Sequence, residues 1–283
     1  MSSLHFPALP SPPSPEELTA FECPPTLFVF DFDGTLVDIA PTPDLIHFDP
    51  RVPHWLSELH DAGPNSSRAM LCSGRALRDL ERYAPDGMDL IGSHGLEWRR
   101  GLAHEPWVAP EWWEWRNRVE PELRAMIAEE GGSLEDKGVS LTVHFRSAKR
   151  FWDTPEAEIA LRRLAGSTVN VLPGKLVWNL VARGQAPGMI EPEIMTKGES
   201  LVRYARASGF TRIVYFGDEP TDETVFERDE LEILGVKVGG GETAARYRVE
   251  GVGEVHVWLA RLVDTWTAAR GEAWGTRRAS AGR

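Results

Sequence analysis

Residues 28–44 read FVFDFDGTLVDIAPTPD, an apolar run that ends in two aspartates, Asp31 and Asp33, with Gly34 and Thr35 directly behind them. The run has the length of a buried strand closed by a turn. Like-charged carboxylates held this close raise each other's pKa unless a cation lies between them, so the junction asks for a compensating positive charge. At usage of roughly 5 to 7% per residue type, the four fixed letters of Asp-x-Asp-Gly-Thr arise by chance about once in 10^5 positions. An ordinary strand-to-turn junction is therefore a poor account of them.

Two further stretches have the same form. AMLCSGR (69–75) and RIVYFGDE (212–219) are apolar runs that end in polar or acidic residues, as TLFVFD (26–31) does. Between such runs come helical patterns: Val52, Trp55, Leu56 and Leu59 share one face, as do Val255, Trp258, Leu259, Leu262 and Trp266. Strands alternating with helices predict an α/β fold with a doubly wound, Rossmann-like parallel sheet. Ligands of such sheets bind outside the carboxyl ends of the strands, so three strand ends nominate one site. Thr196 and Glu199 form a capping-box pattern that starts a helix at Lys197 and lets it run to about Gly209.

The middle of the chain differs. EWWEWRNRVEPELRAMIAEE (111–130) is helical in pattern, with Pro121 placed to kink or divide it. In VSLTVHFR (139–146), Val139, Leu141, Val143 and Phe145 alternate with Ser140, Thr142, His144 and Arg146, which marks a strand with one apolar and one polar face. With TVNVLPGKLVWNLVA (168–182) this predicts a smaller α+β insert with its own sheet. The expected organisation is a discontinuous core at 26–104 and 192–270, an insert at 105–191, and loose tails at 1–25 and 271–283, with loop hinges near Gly101 and Gly188.

Composition narrows the partners. The 283 residues are 42% hydrophobic and 26% charged, with a formal charge of −12 and a pI near 5.2. A nucleic-acid surface needs clustered Lys and Arg instead. Cys23 and Cys72 make no disulfide framework, and no apolar run reaches the roughly 18 residues of a membrane span. The opening MSSLHFPALPSPPSPEEL lacks the basic and apolar regions of a signal peptide. The expectation is a monomeric cytoplasmic protein that binds neither nucleic acid nor membrane and acts on a small anionic molecule.

The strand ends together carry what phosphoryl transfer needs. Asp31 is the candidate nucleophile, since carboxylates form aspartyl-phosphates, and Asp33 the candidate general acid and base. Asp31, Asp33 and Asp218 are the candidate ligands of a Mg2+, which takes oxygen ligands, with Glu219 and Asp222 in support. Ser73 and Lys197 are placed to hold phosphoryl oxygens, one by its hydroxyl and the other by its charge. Alone, Ser73 reads as a turn residue and Lys197 as a solvated helix start; their occurrence at successive strand ends makes them candidates.

This constellation resembles the haloacid dehalogenase-like (HAD) phosphatase superfamily, whose four motifs match DFDGT, Ser73, Lys197 and GDEPTDE. An insert placed between Ser73 and Lys197 is similar to the α+β cap of the sugar-phosphate phosphatases. Finer strings resemble the trehalose-6-phosphate phosphatases: DFDGTLVDIAPTPD with Asp38, Ala40 and Pro43, LCSGR, GSHGLE, GDEPTDETVF, and LEDKGVSLTVHFR. The resemblance implies hydrolysis of trehalose 6-phosphate through an aspartyl-phosphate, with Mg2+ as cofactor. It implies phosphate and substrate contacts from Gly34, Thr35, Gly74, Arg75 and His94, and from Glu135, Lys137, His144 and Arg146 in the cap, with Glu135 and Lys137 on sugar hydroxyls. One departure stands out. Where the family has a glutamate before a short link to the motif lysine, this chain has Asn179 and a link longer by about ten residues. Glu191 or Glu193 in that link is a candidate replacement. Another phosphorylated disaccharide, or a sugar-phosphate-binding domain without catalysis, are the alternative readings.

Overall fold

β1 (Thr26–Phe30) is buried along its whole length, as a central parallel strand must be when helices cover both faces of its sheet. It belongs to a computed structural model that describes residues 9–281 apart from 21, 40–45, 47–48, 62, 147, 175, 186–188 and 190–192. Ala40, Pro43, Gly188 and Glu191, singled out above, lie outside the described residues. The chain forms two compact units, one of residues 1–95, 99–103 and 196–283, the other of 96–98 and 104–195.

In chain order the first unit opens with α1 (Pro15–Leu18), β1, α2 (Arg51–Leu59), β2 (Arg68–Cys72), α3 (Leu77–Leu80) and β3 (Asp89–Gly92). Two short strands, β4 (Glu97–Arg100) and β5 (Ala103–Pro106), mark the passage between units. The second unit contains α4 (Glu111–Glu130), β6 (Ser133–Asp136), β7 (Ser140–His144), α5 (Lys149–Trp152), α6 (Pro155–Ala165), β8 (Val169–Gly174) and β9 (Val177–Ala182). The chain then returns to the first unit with α7 (Lys197–Ala207), β10 (Arg212–Gly217), α8 (Glu223–Phe226), β11 (Glu232–Val238), β12 (Tyr247–Val249) and α9 (Val252–Ala281).

The core sheet runs β12-β11-β10-β1-β2-β3, every neighbouring pair parallel. The chain winds outward from β1 through β2 and β3, then resumes on its other side through β10, β11 and β12. The winding direction reverses between β1 and β10, and a crevice opens there at the carboxyl ends of the strands. Phe28, Phe30 and Phe216 turn one face of the sheet toward α9, where the Trp258 ring centroid lies 5.9, 6.3 and 4.8 Å from theirs. Val255, Leu259, Leu262 and Trp266 are buried with Trp258, and so are Val52, Trp55, Leu56 and Leu59 on α2, as their spacing predicts.

Both tails correct the sequence reading. Residues 10–18 are held against the core: Ser14 and Glu17 close a capping box on α1, Trp258 Nε1 donates to the Pro13 carbonyl at 2.9 Å, and Leu18 joins the α9 cluster. Prolines drew attention away from the Ser-x-x-Glu cap in the same stretch. At the other end α9 continues to Ala281, into the segment expected to be a loose tail from residue 271. No proline lies between 252 and 281 to block it, and each residue added to an existing helix gains a hydrogen bond without a new nucleation cost.

The second unit is a four-stranded antiparallel sheet, β6-β7-β9-β8, with helices on one face. Pro121 does not divide α4, whose buried residues Trp112, Trp115, Val119 and Leu123 continue one stripe across it. Four indole N–H groups, of Trp112, Trp115, Trp152 and Trp178, each donate to a main-chain carbonyl, of Gly138, Leu164, Gly131 and Trp152. Tryptophan thus supplies this small core with apolar area while these four indole N–H groups are paired; the buried Trp107 Nε1 has no hydrogen-bond partner. Leu141, Val143, Trp178 and Leu180 face that core. Their alternates put Glu135, Thr142 and Asn179 in one cross-strand row, and Ser133, His144 and Val177 in the next.

Candidate active site

Parallel pairing continues one residue past β1: the Asp31 N–H donates to the Phe216 carbonyl at 2.9 Å, which brings the end of β1 beside the end of β10. Asp31 is buried there. Its Oδ1 lies 3.1 Å from Lys197 Nζ, whereas its Oδ2 is enclosed and accepts no hydrogen bond. Lys197 is delivered by the first turn of α7, which the Thr196 hydroxyl caps by accepting the Glu199 N–H at 3.1 Å. The same ammonium reaches Asp222 Oδ1 at 2.8 Å. Asp222 is fully enclosed, its Oδ1 also accepting the Tyr215 hydroxyl at 2.6 Å and its Oδ2 the Glu219 N–H at 2.8 Å.

Asp218 completes the cluster. One oxygen from each of Asp31, Asp218 and Asp222 falls within 4.8 Å of the others. Gly34 permits this closeness: its φ is +73°, which favours glycine, and a Cβ there would stand 2.1 Å from Asp218 Oδ2. The Thr35 hydroxyl lies 3.5 Å from Asp218 Oδ1, and Thr221 donates to Glu219 at 3.1 Å.

The protein's own charges leave this cluster short of positive charge. Burial pushes the Asp31 carboxyl well above the usual range; Lys197 opposes the shift, and Asp222 and Glu219 add to it. Burial, then Glu219 and Asp222, push Asp218 up to about 6. Burial alone would lower Lys197, but Asp31 and Asp222 beside it raise its pKa, so it stays charged. An all-oxygen donor set, an enclosed oxygen without a hydrogen bond, and carboxylates held above their normal pKa fit a hard divalent cation.

Asp33 stands apart from the set expected for it. Arg75 grips its carboxylate with two bonds of 2.6 Å, Nε to Oδ2 and Nη2 to Oδ1, and the guanidinium rests 5.2 Å from the Phe32 ring centroid. The clustered carboxylates are those of Asp31, Asp218 and Asp222, and Arg75 holds the Asp33 carboxylate beside them. Ser73 is buried at the end of β2, its hydroxyl accepting the Arg75 N–H at 3.2 Å. The exposed His94 lies against Gly74, where a Cβ would come within 2.3 Å of the imidazole. Asp38 is exposed beyond the turn.

In the second unit Glu135 Oε2 lies 2.8 Å from His144 Nε2 and 3.7 Å from Lys137 Nζ. Thr142 donates to Asn179 Oδ1 at 2.9 Å, so Asn179 shares a face with Glu135. Arg146 is exposed past the end of β7. Glu193 pairs through its backbone with Gly184. Tyr215 and Lys237 were not foreseen: a tyrosine inside an apolar run reads as core, and the one signal for Lys237 is a lysine in the otherwise apolar strand EILGVKV.

A parallel α/β core that gathers Asp31, Asp33, Ser73, Lys197 and an acidic loop at its strand ends defines a phosphoric monoester hydrolase of the HAD-like class. Within that class the chain belongs to the trehalose-phosphatase family, whose model matches residues 29–248. It is 31% identical over 238 residues to the trehalose-6-phosphate phosphatase of Escherichia coli K12, covering 82% of this chain and 85% of that protein. The fold is also that of the trehalose-6-phosphate phosphatase C-terminal domain of Candida albicans, with a TM-score of 0.66 and 21% identity over 93% of this chain and 99% of that one. The Aspergillus fumigatus trehalose-6-phosphate phosphatase gives a TM-score of 0.64 at 22% identity, over 90% and 99%. Among the described residues no helix is long and apolar enough to cross a membrane.

Proposed function

We propose that this protein hydrolyses trehalose 6-phosphate to trehalose and phosphate, as a monomer in the cytoplasm. The observation that carries the chemistry is Asp31, a buried carboxylate with Lys197 on one oxygen and no hydrogen bond on the other. An Asp31 oxygen attacks phosphorus, the bond from phosphorus to the sugar 6-oxygen breaks, and Asp33 gives a proton to the departing alkoxide. Asp33 then takes a proton from water as that water attacks the aspartyl-phosphate, which frees Asp31 and releases phosphate. Arg75 holds Asp33 in orientation for both transfers, and Ser73 and Lys197 bind the phosphoryl oxygens. Asp31, Asp218 and Asp222 would hold a Mg2+, which would neutralise the clustered carboxylates and the incoming phosphate. Glu135, Lys137 and His144 contribute contacts to the glycosyl part, with Arg146 and His94 as further candidates.

Asn179 favours a second reading, in which the phosphate ester is that of another disaccharide. An amide stands where the family has an acid, and its oxygen is already engaged by Thr142. Phosphate release from a panel of sugar phosphates, with and without Mg2+, decides between them. Trehalose 6-phosphate should be turned over fastest and only with Mg2+. Turnover of another glycosyl phosphate with trehalose 6-phosphate ignored would leave the phosphatase and remove the trehalose assignment; no turnover of any would remove both.

A further inference from the structure

β11 contains a lysine that the proposed chemistry does not use. Lys237 is 5% exposed in a strand otherwise buried and apolar from Ile233 onward. A buried ammonium is costly unless paired and hydrogen-bonded. Its partners are specific. Lys237 Nζ donates to the main-chain carbonyl of Asp218 and lies 3.8 Å from Glu223 Oε1. That Glu223 oxygen is enclosed and makes no hydrogen bond, while Oε2 accepts the Thr243 hydroxyl at 3.1 Å and the Ala244 N–H at 2.8 Å. In the sheet Lys237 is in register with Gly217, the residue directly before Asp218. From the neighbouring strand Lys237 thus ties the two ends of the acidic segment together, the Asp218 carbonyl at one end and the Glu223 carboxylate at the other.

We infer that Lys237 is a positioning residue for the cation site: by holding the Asp218 carbonyl it fixes the backbone from which the Asp218 carboxylate reaches Asp31 and Asp222. This rests on the reading of that cluster as a cation site. Position and charge make opposite predictions. Removal of a nearby positive charge strengthens binding of a divalent cation, whereas release of a ligand's backbone weakens it, and loss of a group that orients a metal ligand costs about 10- to 100-fold in affinity.

The test is Mn2+ titrated into metal-stripped protein and followed by electron paramagnetic resonance, together with amide exchange over residues 217–224. Lys237→Met should weaken Mn2+ binding about tenfold and speed exchange in that loop, with the remaining core strands protected as in the parent. Lys237→Gln, which drops the charge but keeps a donor for the carbonyl, should lose less, and it carries the comparison if the methionine variant does not fold. Glu223→Gln leaves the lysine on the carbonyl and should bind Mn2+ within about twofold of the parent. Folded Lys237 variants that bind Mn2+ as tightly as the parent, or more tightly, overturn the inference. A parent that binds no Mn2+ removes the cation reading and this inference with it.

Discussion

Asp31 illustrates what a single buried carboxylate needs in order to act: a lysine to orient one oxygen and no hydrogen bond engaging the other. Asp31→Asn keeps the shape and removes the nucleophile, so phosphate release should fall by about 10^4-fold or more, with a thermal midpoint close to that of the parent. Turnover near the parent level would end the aspartyl-phosphate reading. Tyr215 bears on the same network, because its hydroxyl and Lys197 share one Asp222 oxygen. Tyr215→Phe removes a bond to a charged acceptor worth about 1.5 to 3 kcal/mol. We expect kcat to drop about ten- to a hundredfold with KM little changed, since the lost bond orients Lys197 and contacts no sugar. Asp218 gives the pH dependence. Its folded pKa near 6 lies above the usual 3.8, so in metal-free protein its contribution to stability is full below about pH 4 and is lost as pH rises through about 6. A cation competes with that proton, so Mg2+ should raise the thermal midpoint more at pH 7 than at pH 5. An equal rise at both values would take Asp218 out of the cation set. Asp31, Asp33, Ser73 and Lys197 were legible in sequence because each ends a strand or starts a helix. The nearness of Asp222 to Asp31 and Asp218, and the Arg75 grip on Asp33, were not, since both depend on contacts between distant parts of the chain, the Arg75–Asp33 one spanning 42 residues.

α7 matters to catalysis through its first turn. Thr196 caps it, Lys197 follows, and Gly198 lets it approach α8 at Thr224, where a Cβ would fall 1.9 Å from the Thr224 carbonyl oxygen. Thr196→Ala should cost about 1 kcal/mol, a fall of about 2 to 4 °C in the thermal midpoint of a chain this size, with kcat reduced less than in Tyr215→Phe. Gly198→Ala cannot be absorbed by a flexible side chain, because the obstruction is backbone. It should force α7 away from Thr224, take Lys197 with it, and lower kcat more than the cap substitution does. The reverse order in steady-state kinetics would show that the cap, and not the close approach, sets Lys197. The cap and the helix start were readable from Thr196 and Glu199 alone, because capping is a local matter, but the box does not close: the Glu199 carboxylate takes Arg203 and Arg228 instead. The close approach was not, since a second-position glycine in a helix gives no sign of the backbone that will face it. The terminal segments show the same division: Ser14 and Glu17 are a local signal passed over among prolines, while the burial of Leu18 depends on α9, more than two hundred residues away.

For the whole molecule, the sequence made the two-part plan visible because an alternating strand, VSLTVHFR, and a tryptophan-rich helix interrupt the run of parallel-sheet units. What it could not show was which cap residues share a row, since register is set by pairing between strands. The structure puts Glu135, Thr142 and Asn179 in one such row, with Lys137 and His144 on the Glu135 carboxylate. Division of labour between the units follows if the core groups bind phosphate and the cap groups bind sugar, and it can be measured by comparing two substrates. Glu135→Ala removes an acceptor and also releases Lys137 and His144 from their common partner, whereas Lys137→Ala removes a single donor. Each lost bond to a charged group is worth about 1.5 to 3 kcal/mol, so kcat/KM for trehalose 6-phosphate should fall about ten- to a hundredfold, more for Glu135→Ala than for Lys137→Ala. A small aryl phosphate offers nothing for these side chains to hold, and its hydrolysis should change by less than about twofold. Parallel losses on both substrates would mean that Glu135 supports the fold of the cap and does not recognise the sugar. A loss confined to the disaccharide phosphate would show binding energy from the distal sugar being used at phosphorus, which requires both units to engage one substrate molecule.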